Sequence, residues 1–185
     1  AKTNDIICVT GDLGAAYTGL QVLEREKQVY LANPDMQPDL GKYEYIVGRQ
    51  LKPEARTDIV FDLEEAGVKP TAMIDVSDGL ASDLFHLAKQ SNAGFRIYED
   101  KVPVDQQAFQ TAIEFKLDPI TCVLNGGEDY ELLFAIDQAD QEKIKNHPDI
   151  HMIGYFHERT SEHIMITKQG NTVPLRAQGW DHFSS

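Results

Sequence analysis

Cysteine is nearly missing from this sequence: Cys8 and Cys122 stand far apart and without a CxxC spacing. That excludes a disulfide framework or a cysteine-built zinc site. Both lie in apolar surroundings, Ile6-Ile7-Cys8-Val9 and Ile120-Thr121-Cys122-Val123-Leu124, and read as small buried hydrophobes. The six histidines form no metal-spaced pair, which speaks against histidine-metal chemistry. Positive charge is scarce as well. Seventeen Lys and Arg against thirty Asp and Glu leave a net charge of −13, so the domain-wide basic footprint that a nucleic-acid binder needs is lacking. The longest apolar runs are strand-length, so no membrane span is expected. No basic-then-apolar leader opens the chain, which makes the cytoplasm the expected location. There is no GxxxxGK[ST], so any use of ATP is not through a P-loop. Gly11-Asp12-Leu13-Gly14 falls short of GxGxxG.

What is present suits one good-sized domain. Of the 185 residues, 42% are apolar, enough to fill a core. Asp5-Ile-Ile-Cys-Val-Thr10 reads as a strand buried on both faces, followed by a helix through about Lys27. A second helix is expected to begin near Pro53 and stop at Gly67, with Ile59, Val60 or Phe61, and Leu63 facing inward. Pro70–Val76 reads as another buried strand and Gly79–Gln90 as a helix carrying Leu80, Leu84, Leu87 and Ala88 on one face. Further strands are expected at Phe95–Tyr98, Tyr130–Ile136, Ile150–Phe156 and His163–Thr167. Helices are expected at Asp105–Phe115 and, as a charged surface helix, at Asp137–Asn146. Strand and helix alternate early and the end is strand-rich, which predicts an α/β domain with a mixed β-sheet covered by helices. Ala1 lies a few residues before a buried strand, without an initiator methionine, as in a domain excised from a longer chain.

Two acidic segments carry the chemistry. In Asp75-Val-Ser-Asp-Gly-Leu80 a strand turns into a helix, the place where α/β folds gather ligands. Asp75 offers a hard oxygen ligand for Mg²⁺, and Ser77 with the first helical N–H groups can approach a phosphate. The plain alternative is a helix cap, with Ser77 or Asp78 accepting N–H bonds. Asn125-Gly-Gly-Glu-Asp-Tyr-Glu131 puts three acids into four residues, costly without a cation or donors. Its alternative is a Gly-Gly turn with solvated acids. Trp180, in Gly179-Trp-Asp-His-Phe183, is either a plug on the core or a stacking wall for a planar ligand.

Thr71–Leu84, Gly126–Phe134 and Gly179–Phe183, in this order, resemble the thiamine-monophosphate kinases, a family in the superfamily of aminoimidazole ribonucleotide synthetase, and Asp5–Leu20 and Leu51–Arg56 extend the likeness. The resemblance implies an aminoimidazole ribonucleotide synthetase C-terminal-domain-like fold over residues 1–185, with an N-terminal ATP/Mg-binding and dimerisation domain outside this sequence. It implies ATP-dependent, Mg²⁺-dependent phosphorylation of thiamine monophosphate to thiamine diphosphate, by a full-length homodimer. On these positions Asp75 and Asp78 would be Mg²⁺ ligands, Ser77 would contact ATP, and Glu128 and Trp180 would bind the substrate. The family's first segment reads Gly-Asp-Ser where this chain has Gly14-Ala-Ala-Tyr17, so that loop carries no expected role. Another enzyme of the superfamily with a different phosphate acceptor, or a non-catalytic nucleotide-binding module, are the alternatives.

Overall fold

A computed structural model describes residues 1–176. The Trp180 expectation falls outside the described residues.

Among the described residues, seven strands form one mixed sheet: β1 (Ile6–Thr10), β2 (Ala72–Asp75), β3 (Gly94–Tyr98), β4 (Leu132–Ile136), β5 (Ile150–His157), β6 (His163–Ile166) and β7 (Thr172–Pro174), in the order β2-β4-β1-β5-β3-β6-β7. Neighbours pair antiparallel except β3 and β6, which run parallel. The helices are α1 (Ala15–Ala32), α2 (Glu44–Leu51), α3 (Thr57–Glu65), α4 (Leu80–Ser91), α5 (Gln106–Glu114), α6 (Pro119–Asn125) and the one-turn α7 (Gln141–Ile144).

The continuous apolar run of β1 has its reason in the packing. Alternate residues of a strand point to opposite faces. Ile7 and Val9 join Leu80, Leu84 and Leu87 of α4 and Val123 of α6 in one core. Cys8 joins Ile59 and Leu63 of α3 and Ile144 of α7 in a second, on the other face. A third cluster (Ala15, Val22, Tyr43, Ile46, Val47, Ala108) ties α1, α2 and α5 together.

Several expectations shift. Pro53 ends a helix rather than starting one: Lys52, the residue before it, is pushed out of the helical region (φ −143°, ψ 68°) and terminates α2, which the sequence had not suggested. The next helix, α3, starts at Thr57, and Val60 and Phe61 lie on its exposed side. The strand containing Asp75 lies at the sheet's edge with alternating exposure, so it is not buried on both faces. The charged stretch 137–146 makes only a 3-10 turn and α7. The Asp137 side chain accepts from Ala139 N–H, and Pro148 disfavours a helical His147.

Candidate functional site

The C-terminal ends of β1 and β2, the start of β4 and the start of β5 lie at one end of the sheet, as the pairs Asp75–Leu132 and Thr10–Ile150 show. Both acidic segments emerge there. Asp75 is the last residue of β2 and is exposed; Ser77 is half-buried and Asp78 exposed.

Neither Ser77 nor Asp78 caps α4. Its N-cap is Gly79, held at φ +104°, and no side chain accepts a cap bond there. A Cβ at Gly79 would stand 2.7 Å from the Leu124 carbonyl oxygen, so the approach of α6 requires glycine. The cap reading of the Ser77–Asp78 turn is therefore not what the fold adopts. The N–H groups of Ser77 and Asp78 are also not open to a phosphate: both donate to one oxygen of Asp83, at 3.1 and 3.2 Å. Burial, opposed by those two N–H bonds, pushes Asp83 up to about 6. The turn thus leaves the Asp78 side chain exposed and Ser77 half-buried, while an acid from the first turn of the helix holds its backbone. The carboxylate oxygens of Asp78 and Asp83 and a ring nitrogen of His86 lie within 4.8 Å of one another, a neighbourhood the scattered histidines of the sequence did not suggest.

The second segment is not a hairpin turn. It follows α6 and runs alongside the first segment, bonded to it backbone to backbone: Glu128 N–H to Ser77 C=O (2.9 Å), Tyr130 N–H to Val76 C=O (2.9 Å), Val76 N–H to Glu131 C=O (2.8 Å). Gly127, at φ +67°, lets the chains meet; a Cβ there would stand 2.4 Å from the Ser77 carbonyl oxygen. Glu128 and Tyr130 both have positive φ, 63° and 52°, an uncommon conformation for such side chains.

That conformation sorts the acids. Glu128 is exposed, with the Tyr130 hydroxyl donating to it at 3.0 Å. Asp129 is buried at the start of α1, where Gly14 N–H (2.7 Å) and Ala16 N–H (3.1 Å) donate to its two oxygens. Burial pushes it up to about 6 despite those donors. Glu131 is 1% exposed and receives Arg49 at 2.7 Å, Arg56 at 2.8 Å and the Thr10 hydroxyl. Arg49 also donates to the carbonyls of Asp12 and Asp129, spanning both loops. Two of the three crowded acids thus have their donors inside the fold, and Glu128 alone faces out. The Gly14-Ala-Ala loop, given no role from sequence, is where Asp129 is anchored.

The structure therefore places Asp75, Ser77, Asp78 and Glu128 on two adjoining turns at one end of the sheet. Sequence reasoning missed Asp83, Asp129, Glu131, Arg49 and Arg56. For Asp83 a signal existed, since a glycine N-cap has no side chain with which to satisfy the turn. For the arginines there was none, because their partner lies 75 or more residues away. Oxygen donors on exposed acids suit a hard cation. Among the described residues the ion pairs at this end run to Glu131, Asp58 and Asp149, not to Asp75 or Asp78. Asp75 and Asp78 supply oxygen donors of the type a hard cation such as Mg²⁺ takes, whereas the Asp78–Asp83–His86 neighbourhood adds a nitrogen. A cavity of about 660 Å³ lined in part by Val102, Phe109 and Ile120 includes none of these residues; Asp75, Asp78 and Glu128 are exposed.

Comparison with known proteins adds relatives. The family model "AIR synthase related protein, C-terminal domain" matches residues 2–162. The thiamine-monophosphate kinase of Bacillus subtilis is 31% identical over 193 residues, covering 99% of this chain and 54% of that protein. The crystal structure of thiamine monophosphate kinase from Aquifex aeolicus superposes with a TM-score of 0.74 at 28% identity, over 94% of this chain and 52% of that one. A structure described as AaThiL complexed with AMPPCP and TMP gives 0.78 at 28% identity, over 99% and 52%. The chain spans about half the length of the relatives it matches. Among the described residues no helix is long and apolar enough to cross a membrane.

Proposed function

We infer that this chain, which belongs to the AIR synthase related protein family as its C-terminal domain, forms the C-terminal half of a thiamine-monophosphate kinase. The reaction is transfer of the γ-phosphoryl group of ATP to the phosphate of thiamine monophosphate, giving thiamine diphosphate and ADP. The observation that carries this reading is that, among the described residues, neither the Ser77 nor the Asp78 side chain is spent on capping α4, which starts on a turn held by Asp83. The adjoining turn presents an exposed Glu128, and a solved relative is described as complexed with AMPPCP, an ATP analogue, and TMP.

Phosphoryl transfer asks the protein mainly for positioning and charge neutralisation. Asp75 and Asp78 would hold Mg²⁺, which when bound offsets the repulsion between two phosphate groups. Ser77 orients the ATP phosphates by hydrogen bonding. Glu128 accepts hydrogen bonds from the aminopyrimidine of the substrate, its orientation fixed by Tyr130. Trp180 supplies a face for the thiazolium, where cation–π attraction is worth ~0.5–2 kcal/mol. The acceptor phosphate is already ionised, so no general base is required of this chain.

Asp75, Asp78 and Glu128 are exposed and need a second wall to exclude water, and the relatives are about twice as long. The N-terminal half of the full-length protein supplies that wall and dimerises, in the cytoplasm, and the domain alone turns over little or no substrate. In the full-length protein Asp75→Asn lowers thiamine diphosphate formation about 10²–10³-fold, the scale for removing one preorganised electrostatic group. Unchanged turnover and Mg²⁺ dependence would reduce Asp75 to a strand end and defeat the reading. A panel of phosphate acceptors separates thiamine monophosphate from the substrates of other superfamily enzymes.

A further inference from the structure

Asp83 sits four residues into α4 and is 1% exposed, an expensive place for a carboxylate unless donors meet it. Helical side chains lean toward the helix N-terminus, so an acid in the first turn reaches back over the residues that precede the helix. Asp83 does this: its Oδ2 accepts both the Ser77 and the Asp78 N–H, while its own N–H donates to the Gly79 carbonyl. The peptide that carries Ser77 is held from the other side as well, by Glu128 N–H on the Ser77 carbonyl. Two N–H groups pinned to one oxygen fix the backbone of residues 77 and 78, and with it the directions in which Ser77 Oγ and the Asp78 carboxylate leave the chain.

We propose that Asp83 is a positioning residue: through the backbone of Ser77 and Asp78 it sets the geometry in which those two side chains meet a divalent cation and a phosphate. The proposal rests on the kinase reading for what is bound, but not for the geometry it describes. One acceptor atom does the work, so the role needs an oxygen at that place and not a negative charge. Asn supplies such an oxygen and Ala does not. This separates positioning from direct ligation of the cation, for which the proximity of Asp78 and His86 gives an opening: a ligand carboxylate replaced by Asn keeps an oxygen but loses the charge that holds a divalent cation, so Asn as well as Ala would weaken binding.

The test compares Asp83→Ala and Asp83→Asn in the full-length protein with three readouts. Hydrogen–deuterium exchange over residues 77–78 reports the two N–H bonds directly. Mn²⁺ binding followed by electron paramagnetic resonance reports the cation site with no substrate present. The Mg²⁺ concentration for half-maximal turnover reports the same site in the reaction. Asp83→Ala is expected to lose protection at 77–78 and to bind Mn²⁺ about 10–100-fold more weakly, the usual effect of removing the group that orients a ligand. Asp83→Asn is expected to stay within about threefold of wild type on that same scale. Equal weakening of Mn²⁺ binding by Ala and Asn, unchanged exchange in the Ala variant, or a wild type that binds no Mn²⁺ would each overturn the proposal. If thiamine diphosphate is not formed by wild type while the Mn²⁺ and exchange results hold, the kinase reading fails and the positioning role stands.

Discussion

Glu131→Gln is the most informative single perturbation of the fold at this site. The Glu131 carboxylate is buried and accepts from Arg49, Arg56 and Thr10 at once, so it satisfies donors from β1, α2 and the segment before α3. Gln keeps the volume but offers one accepting oxygen, and its amide hydrogens must then face an arginine or the Thr10 hydroxyl. Removing one partner of a buried ion pair costs about 3–5 kcal/mol. The lower end applies here, because Arg49 keeps the Asp12 and Asp129 carbonyls and Arg56 keeps Asp58 and Asp149. A loss of about 3 kcal/mol lowers the melting temperature by roughly 6–12 °C for a chain of this size. Thermal unfolding followed by circular dichroism reads it, and Arg56→Gln added to Glu131→Gln should cost less than the two single losses summed, because the second change removes a guanidinium that has already lost its Glu131 bond. A loss under about 1 kcal/mol, or strict additivity, would show that water reaches the carboxylate and that the network does not hold the site.

Three further outcomes follow from the same geometry. Gly127→Ala places a Cβ against the Ser77 carbonyl at positive φ, and should cost about 1–3 kcal/mol while disturbing both turns; unfolding and activity of the full-length protein measured together check it. Asp129, pushed up by burial to about 6, holds its proton more tightly folded than unfolded, so its contribution favours the fold at low pH and is lost as pH rises from about 4 through 6. Asp129→Asn should remove that slope, on the order of 3 kcal/mol, in urea midpoints taken across the window; an unaltered slope refutes the assignment. Burial pushes Cys8 up to about 12 and Cys122 to about 11, so a thiol reagent at neutral pH should label neither until the chain unfolds, and rapid labelling would contradict the packing.

Legibility followed the range of the interactions. The apolar run of Ile6–Val9 and the helical spacing of Leu80, Leu84 and Leu87 are local patterns, and their elements stand where the sequence places them. Pro53 was ambiguous because proline both starts helices and forbids them to the residue before it; only the packing of Ile46 and Val47 against α1 decides between the two. The edge position of β2 was not legible, since sheet order depends on which strands pair across the chain. At the site, Asp75, Ser77, Asp78 and Glu128 carried a motif, whereas Asp129 and Glu131 looked equivalent to Glu128 until the positive φ values at 128 and 130 separated them. What turns each acid inward is a distant donor: Gly14 for the first, Arg49 and Arg56 for the second.

The three backbone bonds that tie residues 76–77 to residues 128–131 make the two turns one rigid ledge. Groups that would grip the donor nucleotide and groups that would grip the acceptor therefore share a common datum, and their separation is fixed before either molecule arrives. Thermal wander of one turn carries its neighbour along, so alignment between the reacting partners survives motions that would spoil it if the turns swung on separate hinges.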